Sequence, residues 1–144
     1  MILLDANILL YAYNRAVEHH ERARRWLEAA LAGSMPVAFC WPTILAFMRI
    51  ATNPRAVSRP LSIADARSIV DSWLAVPSAT LVLPTERHWE ILVRVLEGGQ
   101  ASGPLVSDAH LAALAIEHGA TLVTNDRDFA RFPGLRVEYP LMDG

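Results

Sequence analysis

The chain opens on an apolar run, Ile2-Leu3-Leu4, that stops at Asp5 and resumes after Asn7 with Ile8-Leu9-Leu10. A strand with one face in water alternates apolar and polar side chains. A run apolar at successive positions fits instead a strand covered on both faces, as in a parallel sheet flanked by helices. Open sheets of that kind bind ligands in the crevice beyond the carboxyl ends of their strands, and Asp5 falls at such an end. Asp5 can equally be read as the cap of a helix starting near Asn7, because a short carboxylate there satisfies free backbone N–H groups.

With 144 residues, 53% of them hydrophobic, the chain is expected to form one domain over 1–144 with its own core. Its single cysteine, Cys40, excludes an internal disulfide and a multi-cysteine zinc site, and its apolar neighbours read as those of an inert core thiol. That usage fits a reducing cytosol. No basic stretch precedes the first apolar run, which Asp5 and Asn7 interrupt, so a soluble cytoplasmic protein is expected rather than a secreted or membrane-spanning one. The net charge of −2 offers nucleic acid no overall attraction, so any such binding needs a local basic patch. All 13 basic residues are arginine. Without lysine, P-loop phosphate binding and Schiff-base chemistry are excluded.

Periodicity predicts helices over 7–13 and 18–31, the second with an apolar stripe of Ala23, Trp26, Leu27, Ala30 and Leu31. Its arginine-rich opposite face reads better as solvated than as phosphate-binding. His19 and His20 carry no metal-ligand spacing. A strand is predicted over 36–39 and a third helix over 42–52, started by Pro42. Arg49 is the only charge on that apolar helix and is expected to need a partner. Its fork suits an active-site carboxylate or a substrate phosphate, and a structural salt bridge fits as well. A loop over 55–60 follows, and then a helix with the capping pattern Ser62 and Asp65 and a stripe of Ala66, Ile69, Val70, Trp73 and Leu74. A strand is predicted over 80–83. Thr85 is expected to cap a fifth helix with Trp89, Leu92, Val93 and Leu96 inward, closed by Gly98-Gly99.

The stretch Gly98-Gly99-Gln100-Ala101-Ser102-Gly103-Pro104 reads as a hinge or substrate-side loop. It leads to Ser107-Asp108-Ala109-His110, the start of a sixth helix that buries Leu111, Leu114 and Ala115. There Asp108 complements the helix dipole and also points toward the carboxyl edge of the sheet. A strand over 120–123 ends in Thr124-Asn125-Asp126-Arg127-Asp128-Phe129, and an edge strand is predicted over 136–139. Asp5 and the pair Asp126 and Asp128 thus follow two strands, and Asp108 opens a helix between them. In a parallel sheet these carboxylates share one edge, where they would repel one another unless a divalent cation neutralised them. Magnesium or manganese suits such all-oxygen ligands and supports phosphodiester hydrolysis.

Over nearly its whole length the sequence resembles the PIN-domain ribonucleases, and among them the VapC-type toxins of bacterial toxin–antitoxin pairs, in a branch abundant in mycobacteria. The residues that carry the resemblance are Asp5-Ala6-Asn7, the stretch 41–55 with Arg49 and Thr52-Asn53-Pro54-Arg55, Ser107-Asp108-Ala109-His110-Leu111, and Thr124 through Phe129. The resemblance implies a five-stranded parallel α/β sheet flanked by helices, a magnesium or manganese ion, RNA cleavage and a homodimer. It also implies a VapB-type antitoxin that inserts a C-terminal segment into the active site. Structured RNA, transfer or ribosomal, is the substrate class so implied. Asp5, Asp108 and Asp126 are the expected metal ligands, with Asp128 a fourth or hydrogen-bonded through water, while Asn7, Thr124 and Asn125 support them and Arg49 stays open between a phosphate or carboxylate partner and a structural salt bridge.

One position departs from the pattern. The family places a glutamate three residues before the arginine of the third helix, and here that residue is Ala46. Beside the metal-dependent endoribonuclease stands a second reading, a catalytically weak PIN-fold module that binds RNA or antitoxin. A phosphoryl-transfer domain of the receiver or haloacid type would need a second carboxylate close to Asp5 and a lysine. The chain has neither.

Overall fold

Alternate residues of the first strand enter two different cores. Ile2 and Leu4 pack with Val37, Phe39, Phe47 and Trp73, whereas Leu3 packs with Ala38, Ala109, Ala113 and Leu122. That division is what a pleated strand buried on both faces produces, and it accounts for the uninterrupted apolar run. The computed structural model describes residues 1–142. Strands β1 (Ile2–Leu4), β2 (Val37–Phe39), β3 (Ala79–Leu81), β4 (Thr121–Val123) and β5 (Val137–Glu138) form one sheet in the order β3-β2-β1-β4-β5, all parallel. The α/β architecture and the five-stranded parallel sheet expected from the sequence are both present.

Six helices cover the sheet: α1 (Ala6–Tyr13), α2 (His20–Ala32), α3 (Trp41–Ala51), α4 (Ile63–Leu74), α5 (His88–Gly98) and α6 (Leu105–Glu117). The first core lies under α1 to α4 and the second under α5 and α6. From β1 the chain steps outward through β2 to β3, then returns to the other side of β1 to lay down β4 and β5. The reversal falls between β1 and β4. At such a switch point adjacent connections leave in opposite directions and open a crevice beyond the carboxyl ends of the strands. Asp5 ends β1 and Thr124 ends β4 on that crevice, with the register Leu4 to Val123 setting them side by side.

Several local expectations shift. Ser62 caps α4 as the sequence indicates, accepting the Asp65 N–H at 3.0 Å. Thr85 instead closes a turn, receiving Arg87 N–H on its hydroxyl at 3.2 Å, and α5 begins only at His88. The inward face of α5 is accordingly Ile91 and Val95, with Leu92 and Leu96 partly buried, and Trp89 is 71% exposed rather than inward. Arg49 is also on the surface and forms no ion pair among the described residues, so solvent meets the demand that burial was expected to make. On α2 the arginines lie on the solvated face, where Arg24 pairs with Glu21 and with Glu28, the latter at 2.8 Å. Cys40 is fully buried and meets the Thr43 hydroxyl at 3.3 Å, which fits the inert thiol.

A buried polar chain fixes α6, the helix that carries Asp108. The Glu117 side chain, 1% exposed, accepts the Thr85 backbone N–H at 2.6 Å and meets His88 Nδ1 at 2.5 Å, and His88 Nε2 meets His110 Nδ1 at 2.9 Å. A buried carboxylate tolerates its desolvation only with partners of this kind. Burial raises the Glu117 carboxyl, but the hydrogen bonds from Thr85 and His88 outweigh it and hold the group below the usual range.

Candidate active site

The Asp5 carboxylate caps α1 and also reaches the end of β4. Its Oδ1 accepts the Ala6 N–H at 2.7 Å and starts α1, while Oδ2 accepts the Thr124 hydroxyl at 2.7 Å. The cap reading of Asp5 is met by one oxygen, and the other is held by Thr124. Thr124 is fully buried, and its hydroxyl oxygen also accepts Asn7 Nδ2 at 3.2 Å and the Asp126 N–H at 3.0 Å. One donation and two acceptances saturate that hydroxyl. Asn7 reaches across as well, its Oδ1 accepting the Asn125 N–H at 3.2 Å. The loop after β1 and the loop after β4 are thus locked together by side chains of Asp5, Asn7 and Thr124.

Asp126 turns its Oδ1 back to accept the Asp128 N–H at 2.9 Å and so starts a short 3-10 turn, Arg127–Arg131. Its other oxygen accepts no hydrogen bond among the described residues. No hydrogen bond among the described residues reaches Asp108, yet that carboxyl is pushed up to about 6. Burial is the main cause, followed by the negative charges of Asp126, Asp5 and Asp128, with Arg131 partly offsetting them. Burial also raises Asp5, against the bonds from Thr124 and Ala6, and Asp126 adds to the rise. Burial is the first cause of both rises, and the charges of Asp126, Asp5 and Asp128 add to that of Asp108, so aspartates scattered over more than a hundred positions of sequence lie within electrostatic reach of one another.

All four offer carboxylate oxygen, the donor class that magnesium and manganese take, and their repulsion is what a dication would relieve. They are not drawn into a closed cage: among the described residues no three His, Cys, Asp or Glu converge tightly enough to enclose an ion. Asp128 is exposed at the rim. Asn125 contributes its backbone N–H to Asn7, and its side-chain Oδ1 is buried without a partner among the described residues. Arg49 and Ala46 lie together on one shallow cleft with Pro42, Leu45, Met48, Thr52 and Ile63, as their one-turn spacing on α3 requires.

Two features of the site were not singled out from the sequence. Arg131 acts on Asp108, and the guanidinium of Arg127 lies 5.9 Å from the ring centroid of Tyr139. The available signal for Tyr139 was its place immediately after the last strand, at the same carboxyl edge.

The family model for the PIN domain matches residues 2–135. Ribonuclease VapC37 of Mycobacterium tuberculosis is 50% identical over 140 residues, covering 97% of each chain. Ribonuclease VapC43 of the same organism is 38% identical over 141 residues, 98% of this chain and 96% of that one. Among solved structures, VapBC2 from Rickettsia felis bound to a promoter DNA fragment superposes with a TM-score of 0.69 at 23% identity, covering 96% of this chain and 98% of that one. VapC20 of Mycobacterium tuberculosis, a toxin that cleaves the sarcin-ricin loop, gives a TM-score of 0.60 at 20% identity over 94% and 99% of the two chains. At those identities the structural likeness speaks to the fold.

Proposed function

The chain belongs to the PIN-domain family, and from that membership together with the aspartates gathered where its sheet reverses we propose that it is a divalent-metal-dependent endoribonuclease, the toxin of a VapBC-type pair. The observation that carries this reading is the Thr124 hydroxyl, which holds Asp5 while receiving Asn7 and the Asp126 backbone. That network fixes carboxylates from two separate loops beside Asp108, an expenditure of buried polar groups that packing alone does not require.

Asp5, Asp108 and Asp126 would hold magnesium or manganese, with Asp128 at the rim. The bound ion would lower the pKa of water and offset charge developing on the phosphate. Asn7 and Thr124 set the direction of Asp5, and the 3-10 turn sets that of Asp126. With Ala46 on α3 where the family has glutamate, the ion would depend on these aspartates.

Substrate and partners follow by likeness to the relatives. Structured RNA is the proposed substrate and a VapB-type protein the proposed antitoxin, supported by relatives and neighbours that bear those names. A homodimer and a cytoplasmic setting, where such RNA is found, complete the proposal. No described helix is long and apolar enough to cross a membrane.

The test is cleavage of total RNA by the purified protein in manganese and in chelator, beside Asp5→Asn. Cleavage by the wild type in manganese alone supports the reading. RNA left intact by the wild type in manganese, or cut equally by Asp5→Asn, overturns it.

A further inference from the structure

Four neighbouring carboxylates repel the phosphates that an RNA-cleaving site must admit, so the rim needs positive charge that is not already engaged. Two arginines sit on the 3-10 turn after Asp126. Arg131 has no side-chain hydrogen bond, ion pair or ring contact among the described residues to hold its direction. Arg127 behaves differently: although flanked in sequence by Asp126 and Asp128, it is exposed and forms an ion pair with neither. Its guanidinium lies instead over the ring of Tyr139.

The position of that ring is fixed by the sheet. Thr124 N–H donates to Glu138 O at 3.1 Å, and β4 pairs Val123 with Glu138, so Tyr139 leaves β5 at the same carboxyl edge, one strand outward from Asp126. The Tyr139 hydroxyl is buried and has no hydrogen-bond partner among the described residues, so what the residue offers Arg127 is the face of its ring. A guanidinium over an aromatic face loses side-chain freedom while its N–H groups stay available to a planar anion.

We propose that Arg127, braced on Tyr139, is a positioning residue that takes a backbone phosphate of the RNA strand on the β5 side of the aspartate cluster. This rests on the nuclease reading above and names how its substrate is oriented. Phosphate contacts set register without reading sequence, which suits a lone arginine with no base-shaped pocket beside it.

The inference is tested by fluorescence anisotropy with two labelled RNA stem-loops of different sequence in calcium, RNA integrity being checked on a gel, so that it does not depend on cleavage. Arg127→Ala should weaken both RNAs alike, by about 10-fold, and make the salt dependence shallower by about one phosphate contact. Tyr139→Phe, which keeps the ring, should bind as the wild type does, and Tyr139→Leu should lose about 3-fold. Manganese affinity, measured separately, should be unchanged in Arg127→Ala. The proposal is overturned by unchanged RNA affinity in Arg127→Ala, by a loss confined to one RNA, by a parallel loss of manganese affinity, or by a wild type that binds neither RNA. Absence of cleavage with this binding pattern intact would count against the nuclease reading alone.

Discussion

The Thr124 hydroxyl donates to Asp5 Oδ2 at 2.7 Å across 119 positions of sequence, joining the ends of two adjacent parallel strands with one buried bond. Removing that hydroxyl while keeping its volume isolates its contribution. Thr124→Val leaves Asn7 Nδ2 and the Asp126 N–H short of an acceptor, and should lower stability by about 1 to 3 kcal/mol in urea unfolding. Cleavage should fall by about 10 to 100-fold, as for groups that orient metal ligands. A Thr124→Val protein with wild-type stability and activity would remove the hydroxyl from the site.

Asp108 gives the metal-free protein a pH-dependent contribution to stability that a single substitution isolates. Its folded carboxyl is raised from 3.8 to about 6, so the folded state takes up the proton first. Its contribution to stability should therefore grow as pH falls from about 7 toward about 5, because protonation relieves the burial of a charged carboxylate beside Asp126, Asp5 and Asp128, whereas His110, lowered by burial, acts in the opposite sense over that range. Asp108→Asn should be more stable than wild type near neutrality and approach it in the acid range. Melting curves in chelator check this, and wild-type and Asp108→Asn profiles that stay parallel over that range contradict it.

Position 46 separates a missing ligand from a repacked helix. Ala46 is half-buried on the cleft it shares with Arg49, so a longer side chain has room there without entering the core. Ala46→Glu should melt close to wild type in chelator, bind manganese more tightly and preserve or raise RNA cleavage. If it melts lower with and without metal and binds manganese no better, the vacancy does not face the ions and glutamate at 46 adds only a charge to the cleft.

Much of this layout was legible in the sequence because its physics is local. Ile2-Leu3-Leu4 must be covered on both sides, Asp5 must then fall at a strand end, and Ser62 caps α4 through its own backbone neighbourhood. The misreadings lie where two local patterns overlap. In α5, Trp89-Leu92-Val93-Leu96 and Ile91-Val95 are both helical stripes, and only the turn closed by Thr85 decides which faces the core. Arg49 was expected to need a partner because its neighbours are apolar, but the helix leaves it in water. The chain from Glu117 through His88 to His110 and the brace of Arg127 on Tyr139 join residues with no common period or spacing. Such contacts exist only once α5, α6 and β5 are placed.

The central claim is that aspartates brought together where the sheet reverses bind a divalent cation, and calorimetric titration with manganese tests it most directly. Wild type should bind, and Asp5→Asn and Asp126→Asn should each lose at least about 10-fold in affinity, in line with the cost of disturbing a metal's ligand set. A wild type that releases no heat of binding, or affinity unchanged in both substitutions, would contradict the account.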